Sequence, residues 1–142
     1  MRGFTILDTI ISVAIIGIVM ALSLPLLKNL DPSIKLSNST GELAGNLRLA
    51  QQMAISQQIK YGVKLVPPLS YELIKLESST TTVKTIVLKE GVTIKSVSGI
   101  KDNTVVYNPI GEPSSAGMIT LGKDALEKKI EIKPSGYVRI EK

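Results

Sequence analysis

The feature that most constrains this chain is the run of residues 9–27, in which 19 consecutive side chains carry no charge. At 1.5 Å per residue, a helix of this length spans roughly 28 Å, close to the thickness of the hydrocarbon core of a bilayer. The run therefore predicts one membrane-spanning helix. The rest of the 142 residues has ordinary soluble composition, so we expect an anchor followed by one globular head.

A cleaved secretory signal is the alternative interpretation of the same run. Its basic region would be Met1 and Arg2, and Ala21-Leu22-Ser23 offers small residues at the spacing that signal peptidase uses.

Asp8 argues against a secretory signal, because it lies at the start of the apolar run. A carboxylate at bilayer depth costs about 2.5–3.5 kcal/mol, so such a residue usually has a charged partner. Residues 9–27 contain no Lys or Arg. A cut after Gly3 would create an α-amino group on Phe4, one helical turn from Asp8, and this cation could pair with the carboxylate.

Residues 3–18, GFTILDTIISVAIIGI, resemble the class III signal and N-terminal helix of type IV pilins and type II secretion pseudopilins. The resemblance implies that a prepilin peptidase cuts between Gly3 and Phe4 and methylates the new amine. It implies that Asp8 pairs with the amine of a neighbouring subunit, and that Pro25 marks a part of the helix that loosens during packing. The family nearly always has Glu where this chain has Asp8, whose shorter reach fits a sparsely used subunit.

The resemblance also implies a location and partners. The chain would cross the bacterial inner membrane once, with its head outside the cytoplasm, and then enter an envelope-spanning or surface filament. Its partners would be the lipid bilayer, prepilin peptidase, the inner-membrane assembly platform and other pilin or pseudopilin subunits. Residues 1–3 would be the leader, 4–30 the membrane and filament-core helix, and 31–142 an amphipathic helix plus the head.

The sequence beyond residue 30 predicts a second helix followed by strands. Asp31 and Pro32 are a capping acid and a proline at the first helical position. Apolar residues then recur at spacings of three and four as far as Ile59, and polar residues such as Arg48 and Gln51 fall on the opposite side. Alternating β-branched runs, separated by Pro and Gly, predict strands at residues 61–66, 71–76, 83–88, 92–97, 104–107, 118–121, 129–133 and 137–140.

These elements predict an α+β fold, in which a long N-terminal helix, half in the membrane and half amphipathic, packs on an antiparallel β-sheet head. The segments LRLAQQMAIS at residues 47–56, GMITL at 117–121 and SGYVRI at 135–140 are similar to H-type minor pseudopilins and FimT-like minor pilins. With the N-terminal helix, this resemblance spans nearly the whole chain.

Enzymatic function has little support in the composition. The chain has no Cys and no His, which excludes Ser-His and Cys-His nucleophilic pairs and the usual zinc sites. We therefore predict no catalytic residues, no metal and no cofactor. The spacing from Gly117 to Lys123 matches a phosphate-binding loop by chance, since Asp124 follows where Ser or Thr is required and the intervening residues have a strand pattern.

DNA binding is the alternative that the resemblance raises, because some FimT-like pilins are DNA receptors with a Gly-Arg-x-Arg motif. The equivalent stretch here is Gly136-Tyr137-Val138-Arg139, which keeps one arginine. If Val138 and Ile140 face the core, the opposite face presents a small basic and aromatic surface diluted by Glu131 and Glu141; its candidate DNA-binding residues are Lys129, Lys133, Tyr137 and Arg139.

The preferred hypothesis is a structural one. The chain would be a minor pilin or pseudopilin, processed by prepilin peptidase and assembled into a type IV pilus or type II secretion pseudopilus, at its tip. The alternative is a DNA-binding minor pilin of a natural-transformation pilus. An anchored or secreted enzyme is the third hypothesis.

Overall fold

The computed structural model describes residues 6–28, 32–89 and 91–141. Contacts divide the chain into two compact units, residues 1–31 and 32–142. The predicted leader, the processing residues Gly3 and Phe4, and the capping residue Asp31 lie outside the described residues.

The first unit contains a single described helix, α1 (Ile6–Lys28). Its sequence explains it, since β-branched and straight-chain apolar residues follow one another with only Gly17 and Pro25 to oppose helix formation. Pro25 lies within this helix, whose backbone is helical from Ile6 to Lys28.

The second unit begins with α2 (Pro32–Gln57), which has Pro32 at its first helical position as predicted. Its buried side chains recur at helical spacing along one side and are small or branched; they are Leu36, Ser39, Thr40, Leu43, Ala44, Leu47, Ala50 and Ala54. At about 1.5 Å per residue, this helix is long enough to run beside both sheets of the head.

Each of the eight predicted strands is found among the described residues; the strand at residues 104–107 has the predicted ends, and the other seven are shifted at one end or both. The strands are β1 (Lys60–Val66), β2 (Ser70–Leu76), β3 (Thr80–Val87), β4 (Thr93–Ser98), β5 (Thr104–Tyr107), β6 (Gly117–Lys123), β7 (Leu126–Ile132) and β8 (Val138–Glu141). The largest differences are at the starts of β3 and β7, each three residues earlier than predicted.

The strands form two four-stranded antiparallel sheets, in the orders β3-β2-β1-β5 and β4-β6-β7-β8. In the first sheet β5 pairs with β1, and in the second β4 pairs with β6, so both sheets join strands that are distant in sequence. Helix α2 contacts β1 and β5 of the first sheet and β6, β7 and β8 of the second.

The core of the second unit lies between α2 and the inner faces of both sheets. Leu43 and Leu47 of the helix, Val63 and Val105 of the first sheet, and Ile119, Leu121 and Ile130 of the second are fully buried. Because one cluster includes the helix and both sheets, this unit has a core of its own. The predicted α+β class and antiparallel head are confirmed.

Candidate functional site

The first candidate surface is the side of α1, which has no polar face. Large apolar side chains on every side of the helix are exposed, from 49% at Ile11 to 82% at Ile6. A helix that is apolar all round belongs in the interior of an assembly or in lipid. Among the described residues, no helix combines the length and apolarity that a membrane span requires.

Asp8 lies in the first turn of α1, where a carboxylate interacts favourably with the helix dipole. The Ser12 hydroxyl donates a hydrogen bond to the Asp8 main-chain carbonyl, with 2.7 Å between the oxygens. The acid therefore stands at the start of a helix whose other described side chains are apolar or hydroxyl-bearing, apart from the glycine.

The second candidate surface is the face of β7 and β8 that points away from α2. Val138 is 1% exposed and faces the core as expected, whereas Ile140, towards the end of this edge strand, is 36% exposed. Arg139 and Lys129 occupy alternate positions on the outer face, and Tyr137, just before β8, is 59% exposed. The Lys133 amide donates to the Tyr137 carbonyl at 2.9 Å, so the four candidate DNA-binding residues follow two paired strands and the turn that joins them.

The strand register places a carboxylate opposite two of the bases on this face, Lys129 and Arg139. Glu131 pairs with Arg139, and Lys129 pairs with Glu141. Opposite charges directly across an antiparallel pair attract each other. The dilution by Glu131 and Glu141 that the sequence predicts is therefore built into the register.

The polar side of α2, which the sequence placed opposite the apolar residues, also contributes contacts to the head. No signal in the sequence indicated these contacts. The Arg48 guanidinium donates to the Val138 carbonyl at 2.8 Å, and the Gln51 amide donates to the Gly111 carbonyl at 2.8 Å. Polar side chains at spacing three thus hold the helix to two different parts of the head.

Gly111 and Gly136 form the junction that receives Gln51. Both adopt positive φ, 90° and 81°, a region that favours glycine. A Cβ added at Gly136 would collide with the Gln51 amide and the Gly111 carbonyl. Because Gly111 follows β5 and Gly136 precedes β8, the loops of the two sheets meet here under α2. The only sequence signal was the pair of glycines in Pro-containing turns.

Two buried tyrosines are the most perturbed titratable groups of the head. Burial raises the pKa of Tyr71 to about 12, although its hydrogen bond from the Asn46 amide, at 2.8 Å, lowers it. Burial also raises the pKa of Tyr107 to about 12. The hydroxyl of Tyr107 has no hydrogen-bond partner within the described residues.

Two further kinds of site are a metal site and a phosphate-binding loop. Within the described ranges, no three His, Cys, Asp or Glu side chains come together as a metal site would require. The stretch Gly117–Lys123, with phosphate-loop spacing, is strand β6 and pairs on both edges, with β4 and β7.

Comparison with known proteins gives a clear result for the fold. No protein-family model matches this chain, and no curated protein sequence matches it. The solved structure of the type IV minor pilin FimU of Pseudomonas aeruginosa is similar, with 13% identity, 78% of this chain and 90% of that chain covered, and a TM-score of 0.63. The minor pseudopilin EpsH from the type II secretion system of Vibrio cholerae is similar with 13% identity, coverage of 75% and 96%, and a TM-score of 0.64.

This chain has the fold of minor pilins and minor pseudopilins. One neighbour is a type IV minor pilin and the other is a minor pseudopilin of a type II secretion system. At 13% identity the likeness establishes the fold.

Proposed function

We propose that the chain is a minor pilin or pseudopilin, a structural subunit of a type IV pilus or type II secretion pseudopilus. The observation that carries the proposal is the combination of this fold with an N-terminal helix whose apolar side chains are exposed all round. Such a helix requires cover, which a bilayer supplies before assembly and neighbouring α1 helices supply in a filament.

Processing is the first step of the proposed function. Prepilin peptidase cuts between Gly3 and Phe4 and methylates the amine of Phe4. The charge-free run at residues 9–27 then holds the subunit in the inner membrane, with the head outside the cytoplasm. The assembly platform moves it from there into the filament.

Assembly depends on Asp8 in this proposal. The carboxylate in the first turn of α1 pairs with the amine of a neighbouring subunit and sets its register. Asp is one methylene shorter than the Glu usual in the family, which supports a place at the tip, where few copies are needed. The competing role for Asp8 is local stabilisation of the helix N-terminus, which contributes only about 0.3–1 kcal/mol.

The experiment that tests processing is the intact mass of the chain from hosts with and without prepilin peptidase. We expect loss of residues 1–3 and gain of one methyl group only when the peptidase is present. Gly3→Val should block the cut, and Gly17→Ala should not, because nothing lies within 4 Å of a Cβ at Gly17. An uncut chain, or a cut after Ser23, would refute the proposal.

The experiment that tests assembly compares two Asp8 variants for recovery in sheared filaments. Asp8→Asn should reduce incorporation at least tenfold because the charge is lost. Asp8→Glu, which keeps the charge, should be incorporated as well as the natural chain. Both variants should be processed normally. Equal incorporation of Asp8→Asn and the natural chain would assign Asp8 to local helix stabilisation alone.

A second candidate function, DNA binding in a transformation pilus, is favoured by the exposure of Tyr137 beside Arg139 and Lys133. Its test is the affinity of residues 32–142 for single-stranded DNA as salt is raised, since phosphate contacts make binding fall with salt. Arg139→Gln should weaken binding, and Glu131→Gln, which removes the opposing carboxylate, should strengthen it. Affinity that is unchanged in both variants would exclude this face.

A further inference from the structure

One end of the head gathers segments that are far apart in sequence around the start of α2. The Lys128 ammonium donates to the Ser37 hydroxyl at 2.7 Å, which holds the β6–β7 turn beside the second turn of α2. Lys123, at the end of β6, lies against Gly91, where an added Cβ would be 2.7 Å from the ammonium nitrogen. The turn and the segment before β4 therefore lie at the helix N-terminus.

The β1–β2 turn belongs to the same end. The Leu88 amide donates to the Leu69 carbonyl, and the Ile94 amide donates to the Pro68 carbonyl, both at 2.8 Å. We call this surface the basal end: the first turn of α2 and the described residues 66–69, 87–89, 91 and 123–128.

The basal end is apolar to an unusual degree for an exposed surface. Five large apolar side chains are exposed there: Ile34 45%, Val66 38%, Leu69 49%, Val87 68% and Leu126 43%. They belong to separate segments, so local sequence alone does not place them at one end of the head. Apolar side chains gathered on one exposed surface indicate an interaction.

The same end carries an excess of positive charge. Among its described residues the lysines are Lys35, Lys89, Lys123 and Lys128, and the acids are Asp124 and Glu127; in sequence the same segments also contain Glu90. Glu127 forms an ion pair at 3.1 Å with Lys95 of the neighbouring strand β4. Exposed apolar groups among lysines are complementary to a surface with an apolar interior and phosphate headgroups.

The position of the basal end in the chain selects the partner. In sequence only residues 29–31 separate Lys28, the last residue of α1, from Pro32, the first residue of α2. The basal end is thus the end of the head at which the anchor joins. A free phosphate would contact the lysines but would leave the five apolar side chains uncovered.

We propose that the basal end seats the head on an anionic lipid surface before assembly. The Lys35 and Lys89 ammonium groups contact lipid phosphates, and the exposed apolar side chains enter the headgroup layer. This inference rests on the membrane anchoring proposed above. It adds that the head itself binds lipid, which processing and assembly do not require.

The test uses residues 32–142, which form a compact unit with their own core, so that α1 cannot contribute. Sedimentation with vesicles of phosphatidylcholine alone, or with one third phosphatidylglycerol, measures the partition coefficient at 0.1 M salt. We expect binding to the anionic vesicles and at least tenfold weaker binding to the neutral ones.

Matched charge variants locate the binding surface. Each lysine at an anionic surface accounts for about a fivefold change in partition, so Lys35→Gln with Lys89→Gln should weaken binding about 25-fold. The control is Lys60→Gln with Lys133→Gln, the same charge change where β1 begins and just after β7 ends, at the opposite end of the head. The control should change binding less than twofold, because distant charges are screened at this salt.

Apolar variants and competition complete the test. Leu69→Asn should weaken binding several-fold, while Ile110→Asn should not, although Ile110, in a different loop, is more exposed to solvent (74% against 49%). Inorganic phosphate at matched ionic strength should not compete. Equal partition into both vesicle types, equal loss in the two lysine pairs, or displacement by phosphate would overturn the inference. None of these results would affect peptidase-dependent processing, so the two proposals fail separately.

Discussion

The two helices of this chain follow one another in sequence, yet their side chains have opposite surroundings. In α1, apolar residues on all sides are exposed, with Ile16 at 54%. In α2, one side is buried at 0–1% exposure, and polar residues elsewhere on the helix hydrogen-bond to the head. Many side chains of α2 are thus buried by, or hydrogen-bonded to, the rest of the head, whereas the apolar side chains of α1 are exposed. In the proposed function α2 therefore serves the folding of the head, and α1 serves contacts with lipid or with other subunits.

The largest expected effect comes from removing the same kind of side chain from each helix. Leu47→Ala should lower the free energy of unfolding of the head by about 2–5 kcal/mol, because Leu47 is fully buried and its loss leaves a cavity. Ile16→Ala should leave it unchanged. Denaturant unfolding of the whole chain in detergent, followed by near-ultraviolet circular dichroism, measures both. A comparable loss from Ile16→Ala would mean that α1 contributes to the stability of the head.

The second effect is an alkaline transition confined to the head, where all four tyrosines lie. Burial raises the pKa of Tyr107 from 10.0 to about 12, so folding favours the neutral phenol. Its contribution to stability is complete below pH 10 and is lost as the pH rises through 12. Across this window the natural chain should lose about 2–3 kcal/mol more than Tyr107→Phe, whose phenyl ring does not titrate.

The Tyr107→Phe comparison also cancels the titration of lysines, which both chains share. At neutral pH this variant should be as stable as the natural chain, since the Tyr107 hydroxyl has no partner among the described residues. Tyr71→Phe should be less stable by about 1 kcal/mol, because it loses the bond from Asn46. Identical pH profiles for the natural chain and Tyr107→Phe would show that this phenol is hydrated.

The third effect tests the loop junction against the helix that lies over it. Gly136→Ala should destabilise the head by about 1–3 kcal/mol, since its φ is 81° and an added Cβ meets Gln51 and Gly111. Gly45→Ala is the matched control. Nothing lies within 4 Å of a Cβ at Gly45, in the interior of α2, so alanine there should stabilise by about 0.5–1 kcal/mol. Thermal unfolding of residues 32–142 would reveal whether the signs differ.

The sequence predicted the elements of the head better than their partners. The strands were recognisable because β-branched residues alternate between Pro and Gly turns, as in YGVKLV before Pro67-Pro68. The early start of β3 was missed because Thr80, Thr81 and Thr82 read as a polar turn, although β-branched threonine pairs well in a strand. The division into two sheets depends on pairs such as Tyr61 with Tyr107, which local patterns do not contain.

The candidate surfaces divide in the same way. Tyr137, Arg139 and Lys129 could be placed on one face by counting alternate positions, but the pairing of Glu131 with Arg139 needed the register. The basal end could not be predicted, because Ile34, Leu69 and Leu126 are distant in sequence and only the folded chain places their segments at the same end of the head. The hydrogen bonds of Arg48 and Gln51 to the head could not be predicted either, because helical periodicity cannot distinguish solvent from a neighbouring carbonyl.

The smallest effect tests the hydrogen bond from Arg48 of α2 to the head. Arg48→Ala should lower the stability of residues 32–142 by about 1–2 kcal/mol, because the carbonyl of buried Val138 loses a charge-assisted hydrogen bond at 2.8 Å. Gln52→Ala, exposed on the same helix, should change stability by less than about 0.5 kcal/mol. Equal changes in stability for Arg48→Ala and Gln52→Ala would mean that the Arg48 hydrogen bond does not stabilise the head, and the difference between α2 and α1 would then rest on the apolar side of α2 alone. A selective effect of Arg48 would mean that α2 is committed to the head on its polar side as well, which leaves α1 as the helix available to other subunits.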